Sequence, residues 1–541
     1  MTDHGADLLI RAAAVHTMVP GQEPQRAIAV RGERIVAVSP DAHGLDAWVT
    51  ERTTVRDLPG STVLPSFDDT HTHLIFAGNS AHDVPVHTAR NIPEFLELIR
   101  RRAAVTPEGQ WIRTTTNWQE LNLAERRMPT AAELDQATDR HPVLVKRGGH
   151  NDVVNGYALR LAGITEDTPV PPGGVIGRDE DGRLTGRLID NAQGLVEHLV
   201  PAEDRDLRID GLRLASAEYA AAGIGTVRDC MVSRADYPVL LAAREAGALH
   251  VRVRALISAI GLTSKDQVED LLDVMEGWRS SGDDQLRIWG VKMVLDGGLE
   301  AGATEEPYAC DHNFSGTLLW EPDAMVEAVE AIVRRGWRVG THAYGDRAVR
   351  TLLDVYERVM QDIPGLPAGS LVMEHGALIA PEQRARAVKL GIPVTIQQPL
   401  QHDTAEVERE FWGPERVAAM YPAREWLDLG AEVSGGSDFP VGHFGAMRSI
   451  WGMVTRQTVI GVQGPEHAIS YDEALSLHTT QAARLTGEQD LRGMLTPGRL
   501  ADLTIWEKDP ADCSGVQQRD LTPTHTILGG RIVHSRENSA M

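Results

Sequence analysis

The regular alternation of short β-type runs with amphipathic helical stretches constrains the fold of this chain more than any other feature. The apolar runs lie at residues 61–67, 224–228, 251–257, 286–295, 337–341, 370–373, 392–396 and 431–434. Stretches with helical periodicity follow most of these runs, for example at 265–279, 323–335 and 346–360. Eight strand candidates separated by helices predict an α/β fold, a closed parallel (β/α)8 barrel of the TIM-barrel type. A doubly wound open sheet is the alternative, but the Gly-rich phosphate loop typical of such sheets is missing after the first strand.

The two ends of the chain share a different pattern, in which short β-type runs are joined by tight turns. Gly32-Glu33 and Gly529-Gly530 are placed as hairpin turns between such runs, so we expect one small β-domain assembled from both termini. The interval from about 74 to 223 is too long for one strand–helix unit and must hold an insertion after the first barrel strand. The predicted domains are the β-domain of residues 1–60 and 491–541, the barrel of 61–490, and the insertion at about 84–205.

The acidic composition and the few cysteines restrict the partners and the compartment. Asp and Glu number 77 against 53 Lys and Arg, and this net charge of −24 argues against nucleic-acid partners, because a polyanion needs a basic surface. The three cysteines are widely separated, so no disulfide framework is expected and a reducing compartment is favoured. The N-terminus lacks a signal-peptide pattern, and no apolar run reaches the roughly 18 residues of a membrane span. We expect a cytoplasmic homo-oligomer, a dimer, with neither membrane nor nucleic-acid partners.

Two histidines follow the first strand candidate at a spacing that suits a metal ion. His71 and His73 are alternate residues of an extended segment, so their side chains point in the same direction. Two imidazoles that lie a few ångströms apart suit a divalent ion of the zinc class. The pair alone is weak support, since a chain with 20 histidines contains about one His-x-His pair by chance.

Further metal-ligating residue types lie at the ends of other strand candidates. They are Lys292 on the fourth strand, His342 on the fifth, His375 on the sixth and Asp438 on the eighth. The carboxyl ends of all strands in a (β/α)8 barrel meet around one mouth, where such folds carry their active sites. Any one of these histidines taken alone is more often structural or solvated, but the set as a whole predicts a metal site.

Lys292 needs a separate explanation, because an ammonium group is repelled by a metal cation. A lysine among apolar neighbours tends to lose its proton, and a neutral amine adds carbon dioxide to become a carbamate that can bridge two ions. The sequence therefore favours an N6-carboxylysine at Lys292. The alternative is an unmodified lysine that pairs with Asp296 or binds substrate.

These residues, in this order, resemble those of the amidohydrolase superfamily. His71-x-His73 follows a Leu-Pro-x-Phe-x-Asp lead, and Leu295–Glu300, Thr341–Val349 and Gly436–Pro440 are the most specific segments. More narrowly, the chain is similar to the amidohydrolase-3 group, which includes N-substituted formamide deformylases, from its N-terminal strands to Gly529-Gly-Arg531. The resemblance implies a β-sandwich beside the barrel, an amide bond as the target, and zinc or a similar divalent cation, one or two ions. The implied ligands are His71, His73, Lys292, His342, His375 and Asp438.

The resemblance implies hydrolysis of a C–N amide bond in a small N-acyl or N-formyl substrate by a metal-activated water, an activity on carbon–nitrogen bonds other than peptide bonds. We assign Asp438 as the general base, with His342 and His375 binding the second ion or, with one ion, a carbonyl oxygen. His150, Asp296 and Glu300 are candidate substrate contacts. A structural loop histidine is the alternative for His150, and orientation of the ligands is the alternative for the two carboxylates. In many relatives a small residue stands where this chain has Glu300, so we expect the floor of the pocket to differ here.

Other chemistries on the same metal site remain as alternatives. Lactonase or esterase activity is one, and deamination is another. Deaminases of this superfamily generally lack the lysine on the fourth strand and carry an extra glutamate after a histidine strand, so Lys292 and the Gly376-Ala377 that follow His375 argue against deamination. A catalytically inactive scaffold is a third reading, but such relatives lose metal ligands, and this chain retains the whole set. Gly-x-Ser-x-Gly, His-Glu-x-x-His and phosphate-binding loop motifs are absent from the sequence.

Overall fold

Eight parallel strands with flanking helices form the centre of the computed structural model, which describes residues 5–148, 151–171, 174–190, 192–201 and 204–536. Each strand pairs with the next one along the chain, so the sheet order follows the sequence. This arrangement confirms the predicted (β/α)8 barrel. The strands are β1 Phe67–Thr72, β2 Ile224–Val232, β3 Arg252–Ser258, β4 Leu286–Val294, β5 Arg338–Ala343, β6 Leu371–His375, β7 Val394–Ile396 and β8 Val433–Gly435.

The first and last barrel strands approach each other closely enough for hydrogen bonds. The Thr70 hydroxyl donates to the Gly435 carbonyl at 2.9 Å, and the Asp438 amide donates to the His71 carbonyl at 2.7 Å. Gly436 permits this approach, because a Cβ atom at that position would lie 2.7 Å from the His71 nitrogen. The sheet is therefore nearly closed, and the end of β8 is held beside the end of β1.

Helices follow the barrel strands from β2 onward and cover the outside of the sheet. Their amphipathic pattern explains this position: Asp346–Asp362 buries Val349, Leu352, Tyr356 and Val359 at helical spacing. The helices are Tyr237–Glu245, Lys265–Glu276, Pro322–Arg334, Asp346–Asp362, Pro381–Leu390, Gln398–Trp412, Pro414–Ala419, Ala423–Asp428, Ala446–Thr455, Tyr471–Leu477 and Thr480–Thr486. Within the described part of the chain, no helix is long and apolar enough to cross a membrane.

The first barrel strand lies further along the chain than the sequence predicts. Residues 61–65 belong to strand Thr54–Pro65 of the small β-domain, and the barrel strand β1 begins at Phe67. Hydrophobicity does not reveal β1, because Asp68, Asp69 and Thr72 are polar yet buried. Their burial depends on distant partners, among them Arg492 for Asp68 and Tyr219 for Thr72.

Both termini contribute to a single seven-stranded sheet, which confirms the predicted small β-domain. Its core contains Ile10, Ile28, Val63 and Leu503, all of them buried. Hydrophobic residues from distant parts of the chain therefore hold the two ends together. The strands, in sheet order, are Arg531–Ser535, His525–Leu528, Leu503–Trp506, Thr54–Pro65, Leu8–Val15, Gln25–Arg31 and Arg34–Ser39.

Residues 76–214 form a second compact unit, the insertion expected after the first barrel strand. Phe95, Trp118, Leu134 and Val145 belong to its hydrophobic core. Its five-stranded sheet contains, in order, Ile112–Arg113, Val143–Arg147, Asn151–Val154, Leu184–Asp190 and Gly174–Arg178. Its helices include Ile92–Ala103, Ala131–Ala137, Gly156–Leu161 and Gly194–Glu197, and helix Arg205–Ala221 precedes β2.

Candidate metal centre

His71, His73 and Asp438 converge at the carboxyl end of the barrel strands. Asp438 Oδ1 lies 2.8 Å from His73 Nε2 and 3.5 Å from His71 Nε2. One ligand atom from each of the three buried residues lies within 4.8 Å of the others. Two imidazole nitrogens and a carboxylate oxygen at this separation can ligate one divalent ion.

The ends of β5 and β6 bring two further imidazoles to this place. The His375 ring centroid lies 4.6 Å from that of His71 and 4.4 Å from that of His342. Lys292 extends from β4, and its Nζ atom lies 3.4 Å from His71 Nε2. The structure thus brings together the side chains predicted as ligands from the sequence: His71, His73, Lys292, His342, His375 and Asp438.

Two of these residues have a backbone conformation that side-chain-bearing residues rarely adopt. His375 has a φ of 73° and Asp438 a φ of 58°, both in the left-handed region. Consecutive strand residues normally point to opposite faces, but Glu374 and His375 both contact the side chains at the mouth of the barrel. Strained backbone of this kind is concentrated at functional sites, where the surrounding structure holds it in place.

The electrostatics of the site favour neutral imidazoles at His71, His342 and His375, and the neutral form is the one that binds metal ions. Burial and the charge of Lys292 lower the pKa of His71 to about 4 and that of His342 to about 3. Burial and the neighbouring histidines lower the pKa of His375 well below its usual value. Burial raises the pKa of Asp438, but the hydrogen bond with His73 and the nearby charges outweigh it and hold that pKa below its usual value, so the carboxylate is ionised at neutral pH.

This donor set fits a zinc-class ion. Neutral imidazoles and a carboxylate are suitable ligands, and the buried Nδ1 atom of His375 has no hydrogen-bond partner among the described residues. A second group, His71, Cys230 and Glu374, is also close enough to hold an ion. That group is a poorer site, because burial raises the pKa of the Cys230 thiol and Glu374 already forms an ion pair with Arg228.

The candidate substrate contacts lie in different environments. The Asp296 carboxylate is fully buried and accepts hydrogen bonds from the backbone amides of Ala303, Tyr344 and Gly345 at 2.8–2.9 Å. Burial raises its pKa to about 7. Glu300 is half-buried in the turn after β4. His150 lies outside the described residues. For these three residues, contact with substrate stays a prediction.

Asp296→Asn is expected to reduce the free energy of unfolding by about 3 kcal/mol. The amide side chain can accept at only one of its two positions, so at least one buried backbone N–H loses its partner. Denaturant unfolding of both proteins, with KM measured alongside, tests this expectation. Glu300→Gln is the matched comparison, for which we expect little change in stability. An unchanged stability with a raised KM in Asp296→Asn would instead identify Asp296 as a substrate contact.

Sequence reasoning did not identify Arg228 and Glu374, and it noted Asp69 only as the last residue of the Leu-Pro-x-Phe-x-Asp lead. Glu374 lies 2.7 Å from His71 Nδ1, and Asp69 accepts hydrogen bonds from the amide and hydroxyl of Ser437, next to Asp438. One feature of the sequence could have pointed to Glu374: it is a charged residue that follows three apolar ones in the strand Leu371–His375. Such a residue is unfavourable in a core unless a partner is present, and the sequence does not show the partner.

Known proteins resemble this chain along nearly its whole length. The model of the Amidohydrolase family matches residues 54–534. N-substituted formamide deformylase from Arthrobacter pascens is 28% identical over 548 residues, covering 98% of this chain and 99% of that protein. Protein LONG AFTER FAR-RED 3 from Arabidopsis thaliana is 29% identical, over 98% of this chain and 92% of that protein.

Solved structures show the same fold. An uncharacterized metal-dependent hydrolase from Pyrococcus furiosus superimposes with a TM-score of 0.74 at 24% identity, over 93% of this chain and 100% of that one. A likeness at this identity supports the fold of the barrel and its small β-domain. The family itself follows from the match over residues 54–534, which spans most of the sequence. The chain therefore belongs to the amidohydrolase family, and the prediction that it is an enzyme of this class of hydrolases is confirmed.

Proposed function

We propose that the protein is a metal-dependent hydrolase that cleaves the C–N bond of a small N-acyl or N-formyl amide. The observation that carries this proposal is the convergence of His71, His73 and Asp438 within 4.8 Å. The resemblance to N-substituted formamide deformylase over 98% of the chain supports an amide as the substrate class. Cleavage of a lactone or ester is the alternative outcome of the test below.

The ion we propose is zinc or a similar divalent cation, with one or two ions at the barrel mouth. His71, His73, Lys292, His342, His375 and Asp438 would hold it. When bound, such an ion polarises the scissile carbonyl and lowers the pKa of water, so that the nucleophile forms near neutral pH. His342 is the most exposed of the four histidines, since its side chain keeps 15% of its accessible surface and the others less. It is therefore the one best placed to meet a substrate oxygen.

We also propose that Lys292 becomes carboxylated. Its side chain is buried, with its Nζ atom 3.4 Å from a neutral histidine nitrogen. When the amine is unprotonated, its nitrogen attacks carbon dioxide. An N–C bond forms, one C=O π bond becomes a C–O⁻ group, and one amine proton leaves to solvent, so the product is a carbamate with one negative charge. That charge removes the repulsion between an ammonium group and a metal ion.

Asp438 would act as the general base. Its carboxylate is ionised and held by hydrogen bonding to His73, and its left-handed backbone points it at the histidine cluster. We propose that it takes the proton of the attacking water and later delivers that proton to the nitrogen of the leaving amine. A group that accepts and then returns a proton suits amide cleavage, because an amine leaves readily only after protonation.

Removal and restoration of zinc tests the proposal. The protein is stripped with a chelator, divided, and half is restored with zinc. Formyl-, acetyl- and aryl-amides are then screened for amine release, with lactones and esters in parallel. Amine release only in the restored sample supports the proposal. If lactones are cleaved and amides are not, the proposed target changes from an amide bond to an ester bond. Equal activity in the stripped and the restored sample would contradict the metal requirement.

A further inference from the structure

A buried ion pair, formed by Arg228 and Glu374, contacts one histidine of the candidate metal centre. We propose that Arg228 and Glu374 act as a positioning pair that fixes the tautomer of His71 and strengthens its binding to the metal. The inference rests on the proposed function, since it assigns a role toward the same ion. Arg228 cannot bind a cation, and Glu374 belongs only to the poorer group of His71, Cys230 and Glu374. Both residues therefore act through His71.

Glu374 contacts the Nδ1 edge of the His71 ring. Its Oε2 atom lies 2.7 Å from His71 Nδ1 and accepts a hydrogen bond from the Thr395 hydroxyl at 2.6 Å. Its Oε1 atom lies 2.6 Å from Arg228 Nη2. The side chains of Arg228 and Glu374 are completely buried, and that of His71 keeps only 1% of its accessible surface. Water therefore does not compete for these contacts.

The pair decides which ring nitrogen of His71 carries the proton. A carboxylate that is ion-paired with a guanidinium accepts hydrogen bonds, so we infer that His71 donates from Nδ1. The lone pair then lies on Nε2, the atom 3.5 Å from Asp438 Oδ1 and 3.4 Å from Lys292 Nζ. A carboxylate bonded to the distal nitrogen also raises the basicity of a histidine ligand, and thus its affinity for a metal ion.

Arg228 supplies the opposite charge beside Glu374 inside the barrel. Its guanidinium lies 3.9 Å from the centre of the Trp289 ring and donates to the Thr70 carbonyl at 3.1 Å. Gly340 leaves room for the pair, because a Cβ atom there would lie 2.4 Å from Glu374 Oε1 and 2.7 Å from Arg228 Nη2. Several strands thus combine to accommodate two opposite charges in the core.

Fold stability alone does not explain such a pair. Moving two charges out of water costs about as much as their attraction returns, and apolar side chains of similar size often stabilise a core equally well. The contact with His71 supplies the missing reason, because a ligand with a fixed tautomer and higher basicity binds its ion more tightly.

Zinc affinity of the full chain tests the inference. Glu374→Gln removes the charge with little change in shape, and we expect its zinc dissociation constant, measured by competition with a chromophoric chelator, to rise about 10–100-fold. This variant leaves the buried Arg228 unpaired, which lowers the stability of the fold. The double variant Glu374→Gln with Arg228→Met is therefore measured as well. We expect the double variant to regain the thermal stability of the wild type while keeping the weakened zinc binding.

Glu488→Gln is the matched control. Glu488 is also buried and ion-paired, with Arg254 Nε 2.7 Å from its Oε1 atom, and it contacts none of the candidate ligands in the described structure. Its replacement should lower stability and leave zinc affinity unchanged. The inference would be overturned, and the proposed function left standing, if Glu374→Gln bound zinc as tightly as the wild type. The same would follow if Glu488→Gln lost as much zinc affinity as Glu374→Gln. A wild-type chain that binds no stoichiometric zinc would overturn the proposed function together with it.

Discussion

Asp438→Asn is expected to retain its bound metal and to lose about 10²–10⁴-fold in kcat, the usual contribution of a positioned general base. Asparagine keeps an oxygen where Asp438 Oδ1 meets His73 at 2.8 Å, so the local geometry survives. It cannot accept a proton from water, and so the amide-cleaving step loses its base.

Metal content by elemental analysis, together with kcat on the amide found in the screen, tests this expectation. Full activity with full metal would remove Asp438 from the base role. Loss of the metal itself would show that the ion needs the negative charge of Asp438 as a ligand, which the imidazoles cannot replace.

His71→Ala is expected to lose stoichiometric zinc and to reduce kcat/KM by about 10³-fold or more, since a catalytic ion supplies several kcal/mol of transition-state stabilisation. His71 lies at the centre of the cluster. Its Nε2 atom is within 3.5 Å of Asp438 and Lys292, and its ring is 4.6 Å from that of His375. Removing His71 therefore takes away a side chain that lies beside three other candidate ligands.

His478→Ala is the control for the loss of a buried imidazole. His478 is 2% exposed, and its ring nitrogens lie 2.9 Å from the Asp68 carbonyl and 2.9 Å from the Ser449 hydroxyl. We expect this variant to lose stability comparably but to keep its zinc. Equal metal loss in both variants would indicate that His71→Ala acts through unfolding, and retained zinc in His71→Ala would remove it from the ligand set.

The barrel and its ligand candidates were predictable because both follow from local patterns. An alternation of strand and helix periodicity admits few closed architectures, and the strand ends of a barrel meet at one mouth. Because the order of the strands can be predicted from the sequence, His342 and His375 could be placed near His71, although they are far from it in the chain. The ring distances of 4.4 and 4.6 Å agree with that expectation.

The first barrel strand was placed too early because its polar residues are buried by partners distant in sequence. Asp68 is neutralised by Arg492, and Asp69 is bonded to Ser437. A hydrophobic pattern cannot reveal such pairs, because a charged residue considered by itself is expected on the surface.

The sequence by itself determined the α/β barrel, the β-domain shared by both termini, and the residue types available to hold an ion. Only the tertiary structure decided how those residues are presented. It places His375 and Asp438 in left-handed backbone, turns the Asp296 carboxylate toward three backbone amides, and seats Glu374 between His71 and Arg228. The periodicity of a sequence segment indicates which side of a helix or strand is buried. The orientation and charge state of a buried polar group depend instead on the distant residue that it contacts in the folded chain.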